Sequence, residues 1–138
     1  MWTLSHILKS LSYWAPTMTM STAFKDYVLD MLDPIGPVSA KRMFGGGGIF
    51  LHGNMFALID DDVLYLKVDD QNIKPFNDAG APAFTYMRGD KELALSYREV
   101  PADVIDDTDE LCDWAQQAWE AARRSGTSSK NKPKRKPA

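Results

Sequence analysis

Between Gly48 and Asp69 the chain carries three apolar runs, Ile49–Leu51, Met55–Ile59 and Val63–Val68. Only His52-Gly53-Asn54 and Asp60-Asp61-Asp62 separate them. Runs of this length bounded by Gly, Asn and Asp read as strands. Parallel neighbours need a crossover of about a dozen residues or more, whereas antiparallel neighbours need only a tight turn. Three adjacent antiparallel strands in a meander are therefore predicted. In the third, Leu64, Leu66 and Val68 share one face, and Tyr65 and Lys67 the other.

The flanks extend this sheet into an α+β domain. Ser21 and Thr22 stand at an N-cap position, and Phe24, Tyr27, Val28, Met31 and Leu32 follow at helical spacing. Asp33-Pro34 and Gly36-Pro37 close that helix, so it is expected from about Thr22 to Leu32. Asp69 or Asp70 can cap a short helix presenting Ile73, Phe76 and Ala79 and closed by Gly80, provided Pro75 lies in its first turn. Ala83–Met87 and Glu92–Arg98 form a hairpin around Arg88-Gly89-Asp90. Asp106, Asp107 and Thr108 can cap a final helix to about Arg124, whose apolar stripe is Leu111, Trp114, Ala115, Ala118, Trp119 and Ala122. The order α-βββ-α-ββ-α predicts a two-layer sandwich: helices on a mostly antiparallel five-stranded sheet.

Charge divides the chain. Residues 1–122 hold nine of the sixteen Lys and Arg and all nineteen Asp and Glu, a net of −10. The other seven basic residues are Arg123, Arg124, Lys130, Lys132, Lys134, Arg135 and Lys136. Residues 125–138 lack large apolar side chains and are expected to form a disordered basic tail, read either as a nucleic-acid arm or as a solubilising end. Residues 1–20 are acid-free and match neither a signal peptide nor an Arg-rich transit peptide. They read as a disordered extension ahead of a domain at 21–124, with Met18 or Met20 as the expected initiators. The single cysteine, Cys112, excludes an internal disulfide, and His6 and His52 lack metal-ligand spacing. No apolar run approaches the roughly 18 residues that span a bilayer. A cytoplasmic protein without metal or cofactor is expected.

Gly45, Gly46, Gly47 and Gly48 invite comparison with a phosphate loop. Such a loop leads into a helix and carries a Lys, whereas this run leads into a strand. Two readings stand. In one, the glycines serve close backbone approach within the sheet. In the other they form an anion or small-ligand site with Arg42 and Lys67. Tyr65, Tyr86 and Tyr97, with Trp114 and Trp119, are candidates for contact with a partner or for the core. No Ser or Cys has a histidine placed to activate it, so no enzymatic activity is expected.

Arg42-Met43-Phe44-Gly45-Gly46-Gly47-Gly48-Ile49-Phe50 resembles the opening signature of the N-terminal domain of the TfoX/Sxy family. The likeness continues through Gly53–Ile59, Leu64–Lys67, Phe84-Thr85-Tyr86, Val100-Pro101 and Trp114-Ala115, covering roughly residues 21–122. Gly47 departs from it, since family sequences often place an aromatic residue there. The resemblance implies a two-layer α+β fold. It further implies a regulator of bacterial competence genes, acting as a transcriptional coactivator with the cyclic AMP receptor protein. The C-terminal helix-hairpin-helix-like domain of longer members is not expected here. A protein partner such as a transcription regulator, weak non-specific nucleic-acid binding by the tail, and a homodimer are the associations these features allow.

Overall fold

The computed structural model describes residues 20–135 apart from Phe44, with side chains as far as Gly126. Helix α1 spans Thr22–Leu32, and the Ser21 hydroxyl accepts from the Phe24 amide at 3.1 Å, one of the orphan donors of its first turn. A 3-10 turn, Asp33–Ile35, leads to strand β1 (Val38–Met43). Then come β2 (Gly46–Leu51), β3 (Asn54–Asp60), β4 (Val63–Lys67), a short helix α2 (Lys74–Asp78), β5 (Ala83–Arg88), β6 (Lys91–Glu99), α3 (Ala102–Ile105) and α4 (Thr108–Arg135). The six strands form one antiparallel sheet in the order β1-β2-β3-β4-β6-β5.

The meander is present, and its turns explain the register. His52 (φ 50°) and Gly53 (φ 83°) form a two-residue turn with both residues left-handed, which matches the twist of the strands it joins. Asp61 (φ 56°) and Asp62 (φ 55°) do the same between β3 and β4, and Asp tolerates that region better than most residues. Pro75 sits in the first turn of α2, where its missing amide costs nothing, and Gly80 follows at φ 68°. Asp107 caps α4 by accepting from the Glu110 amide.

Four boundaries differ from the sequence reading. The sheet has six strands rather than five, because Val38–Met43 pairs with β2 along its whole length. That edge strand carries Lys41 and Arg42 and lacks an apolar run, so it gave no strand signal. α3 was also not expected, its four residues being too few to establish a period. α4 continues past Arg124 to Arg135, since adding residues to a packed helix needs no new nucleation. Met20, placed ahead of the domain, is 1% exposed and belongs to the core. The extension of residues 1–19 and the tail side chains from Thr127 lie outside the described residues.

The helices cover one face of the sheet. α4 lies across β3 and β4, and α1 packs on α4 and β1. Leu111, Ala115, Ala118 and Ala122 of α4 are buried against Ile49, Leu51, Phe56, Ala57, Ile59, Leu64 and Leu66 of the strands. Full burial of one such aliphatic or aromatic strand side chain contributes about 1.5–3 kcal/mol. Trp114 and Trp119 flank this stripe. Trp114 meets Phe76 edge-on at 4.7 Å, and Trp119 donates its indole N–H to the Leu51 carbonyl at 2.9 Å.

The glycine strand shows why side chains are excluded from it. A Cβ on Gly46 would run into the Ile59 carbonyl of β3, while one on Gly47 would meet the thioether end of Met20. Backbone cannot yield as a flexible methionine can. Gly46→Ala is expected to cost about 2–3 kcal/mol by overpacking, and Gly47→Ala clearly less, about 1 kcal/mol. Urea denaturation of the two variants checks the order; equal losses would show that Met20 is held as firmly as the backbone.

Candidate functional site

The face of the sheet away from the helices carries the surface of interest. Strand alternation sends Gly47, Ile49, Ile59 and Leu64 to the helices, and Gly48, Leu58 and Tyr65 to the opposite side. Leu66 faces the helices, so its neighbour Lys67 and the cross-strand partner of that lysine, Tyr97, face away. No described helix lies over this second face. The β5–β6 hairpin and the β1–β3 edge instead line a groove of about 500 Å³. Met43, Met55, Leu58, Phe84, Tyr86, Met87 and Leu95 supply most of its apolar wall, and Asp60 is the one charged side chain among the described residues that line it.

The wall is open to solvent where it meets the hairpin. Met87 is 61% exposed, Tyr86 37% and Leu95 36%. Phe84 ties the hairpin to the sheet: its ring meets Tyr65 edge-on at 5.1 Å and stacks with Tyr86 at 6.4 Å. Asp60 is half-buried at the end of β3 and has no ion-pair partner among the described residues. Burial raises its carboxyl above the usual range, and neighbouring Asp61 adds to the rise. Burial also raises Tyr65, with Glu99, Asp60 and Asp61 contributing.

The anion site expected from Arg42, Gly45–Gly48 and Lys67 is not assembled. Arg42 pairs in register with Gly47, on the helix-covered side, and donates to the Met20 carbonyl at 3.1 Å. Lys67 points from the opposite face, with β2 and β3 between its strand and that of Arg42, roughly 14 Å away at about 4.8 Å per strand. Its ammonium lies 5.3 Å from the centre of the Tyr97 ring, and burial lowers its pKa against the opposing charge of Asp69. Sequence spacing could not reveal this separation, which depends on the parity of two strands far apart in the chain. Of the glycines, Gly46 and Gly47 do border the groove, but through backbone alone.

Of the tyrosines, Tyr86 is exposed and Tyr65 half-buried. Tyr97 departs from its expected role as an exposed contact. It is 7% exposed, its hydroxyl reaches the Met55 carbonyl at 3.4 Å, and burial pushes its pKa up to about 12. Strand alternation gives the face on which Tyr97 lies but not its burial there.

Two of the seven basic residues assigned to a nucleic-acid arm are engaged within the fold. Arg123 lies over the Trp119 ring at 5.0 Å and pairs with Glu120 at 3.2 Å. Arg124 makes a two-pronged pair with Asp69, Nε to Oδ2 at 2.7 Å and an Nη to Oδ1 at 3.0 Å. Lys130, Lys132, Lys134, Arg135 and Lys136 lie beyond the described side chains. Asp69 also accepts from the Gln71 amide, and its own amide donates to Asn72 at 2.8 Å. Asn72 is buried, and its side-chain amide donates in turn to the Lys67 carbonyl at 3.0 Å. This network was not found in the sequence; Asp69 reads there only as a helix cap.

Cys112 donates to the Met31 carbonyl at 3.2 Å, and burial together with Asp109 raises its pKa, which keeps it a thiol at neutral pH. Among the described residues no cluster of three His, Cys, Asp or Glu could hold a metal, and no helix is long and apolar enough to cross a membrane.

The Asp69–Arg124 pair makes stability depend on acid. Hydrogen bonding to Arg124, above all, holds the Asp69 carboxyl below its usual range. Its contribution is complete above the unfolded pKa, near 4, and disappears as the pH falls through the lower folded value. For a partly exposed bidentate pair about 1 kcal/mol is expected. Asp69→Asn should lose about that much at pH 7 and flatten the acid limb of a stability–pH curve measured by urea titration. An unchanged acid limb would assign the acid sensitivity to other carboxylates.

Residues 30–122 match the family model described as the TfoX N-terminal domain. No curated protein matches the chain.

Proposed function

The chain belongs to the TfoX N-terminal domain family, and from that premise we propose that it is a non-enzymatic regulatory domain that works by docking another protein in the groove on the open face of its sheet. The observation that carries this reading is the groove itself: about 500 Å³, walled by methionine, leucine and aromatic side chains, with Met87 61% exposed at its lip. Adaptable, methionine-rich apolar surfaces with a few polar groups suit segments of other proteins better than small polar metabolites. Among the described residues the groove offers one carboxylate and no paired acid and base, which supports binding over catalysis. A cytoplasmic transcription regulator of competence genes is the partner class that the family suggests.

Transcript profiling of cells lacking the gene, complemented with wild type or with Met87→Asp, tests this reading. Loss of a defined set of transcripts that wild type restores and Met87→Asp does not is the expected result. Unchanged transcripts on deletion would end the regulatory reading, and full rescue by Met87→Asp would move the partner surface elsewhere.

The tail adds a separate proposal, weak and sequence-independent nucleic-acid affinity. With Arg123 and Arg124 engaged in the fold, at most Lys130, Lys132, Lys134, Arg135 and Lys136 are available for phosphate. At about 0.9 per contact, the log affinity against log salt slope on duplex DNA should not exceed about 4.5 in magnitude. Fluorescence anisotropy of the full chain and of a truncation after Gly126 checks this. Binding that survives truncation would place the nucleic-acid surface on the folded body.

A further inference from the structure

The chain enters the described fold beside the groove. Met20 packs over Gly47 on the helix side of the sheet, and its carbonyl accepts from Arg42 at 3.1 Å. The next amide, that of Ser21, donates to the Asp62 carboxylate at 2.7 Å. These anchors stand at one end of the sheet, where β1 ends at Met43, β2 begins at Gly46 and the Asp61-Asp62 turn follows Asp60. Met43, Gly46, Gly47 and Asp60 also line the groove on the opposite face. Rounding the end of the sheet takes about 10 Å, the spacing of packed layers. At about 3.3 Å for each extended residue, residues 16–19 suffice, which leaves residues 1–15 within reach of the groove.

We propose that residues 1–15 dock in the groove of their own chain, seating Leu4, Ile7, Leu8, Leu11 and Trp14 against its methionine, leucine and aromatic wall. In sequence those five recur at helical spacing, with Ser5, His6, Lys9 and Ser10 among them. An amphipathic segment that lays one face into an apolar groove is a recurrent mode of recognition, and methionine-rich walls adapt to it. The inference rests on the reading of the groove as a protein-docking surface and adds its regulation: an outside partner must displace the segment.

Charge and tethering select this occupant. Residues 20–122 hold eight basic and nineteen acidic side chains, a net −11. Residues 1–15 hold no acid and carry Lys9 and His6. The charged side chain among the described residues of the groove is Asp60, with Asp61 adjoining it. The segment therefore brings apolar surface to an acidic body without charge repulsion, whereas the body of a second copy brings its own excess of acids. A short tether also holds the segment at about millimolar effective concentration, so even a weak contact fills the groove.

Methionine-methyl NMR of the full chain reads the groove directly, because Met43, Met55 and Met87 line it while Met31 lies in the core. Wild type is compared with Leu8→Asp/Leu11→Asp, with circular dichroism to verify folding. The three groove methyls are expected to shift in the variant, independently of protein concentration, while Met31 keeps its position. A synthetic peptide of residues 1–15 added to the variant should return Met43, Met55 and Met87 toward their wild-type positions and saturate. Its affinity for wild type, where the tethered segment competes, should be lower by roughly tenfold or more. Met87→Asp in the variant background should weaken the peptide by roughly tenfold. A chain beginning at Met18 should match the double variant, which keeps the test valid if that variant folds poorly. Groove methyls that stay put in both altered chains, or a peptide that binds wild type and variant equally, would overturn the proposal. Shifts that vary with concentration would give the groove to the segment of a second copy and overturn it as well. Docking of an outside partner is judged separately, by whether Met87→Asp restores the transcripts lost on deletion.

Discussion

The rest of the structure depends on the close seat of α4 on the sheet. Ala115, Ala118 and Ala122 bring the helix backbone near β3 and β4, where larger residues would hold it off. Each alanine buries little surface by itself. Their smallness lets Leu111 and the larger strand side chains close around them, and dense packing of this kind is what distinguishes an ordered core from a merely apolar one. The helix is then fixed at three places along its length. Cys112 reaches Met31 of α1, Trp119 hydrogen-bonds the end of β2, and Arg124 clamps Asp69 after β4.

Because all this packing uses one face, no described helix covers the opposite one. The sheet deals with its exposed apolar side chains by bringing the β5–β6 hairpin round toward β1–β3, so that Tyr65, Phe84 and Tyr86 shelter one another. The shelter is incomplete and a groove remains. Tyr97, on the same face, is buried, with the Lys67 ammonium over its ring and its hydroxyl at the Met55 carbonyl. Structure and proposed function thus share one cause: a single covering layer on a sheet that is apolar on both sides.

Much of this was legible in advance where the signal was local. Helix α1 begins and ends where its cap and prolines require, and the turns at His52-Gly53 and Asp61-Asp62 follow from their composition. Val38–Met43 escaped notice because an edge strand needs neither an apolar run nor strict alternation, and its Lys41 and Arg42 are what a solvent-facing edge tolerates. The candidate site was less accessible. Arg42 and Lys67 seemed to converge in sequence, yet alternation on β1 and β4 sends them to opposite faces. Met55 and Leu58 read only as part of an apolar run, and nothing local distinguishes an apolar residue that faces helices from one that faces a groove.

The sequence by itself determined the three-stranded meander, the β5–β6 hairpin, helices α1 and α2 and the start of α4, the acidic body and the basic end, because each of these follows from interactions between residues close in the chain or from simple counting. It did not determine β1 or α3. Tertiary structure alone decided which face the described helices cover, that Met20 fills the space over Gly47, that Arg124 belongs to Asp69 rather than to a free arm, and that a groove exists whose carboxylate, Asp60, has no ion-pair partner among the described residues. The physical reason is range. Turn chemistry and helical period act over a few residues, whereas burial and ion pairing join residues 55 or more positions apart, such as Asp69 and Arg124, and are settled only when the layers meet.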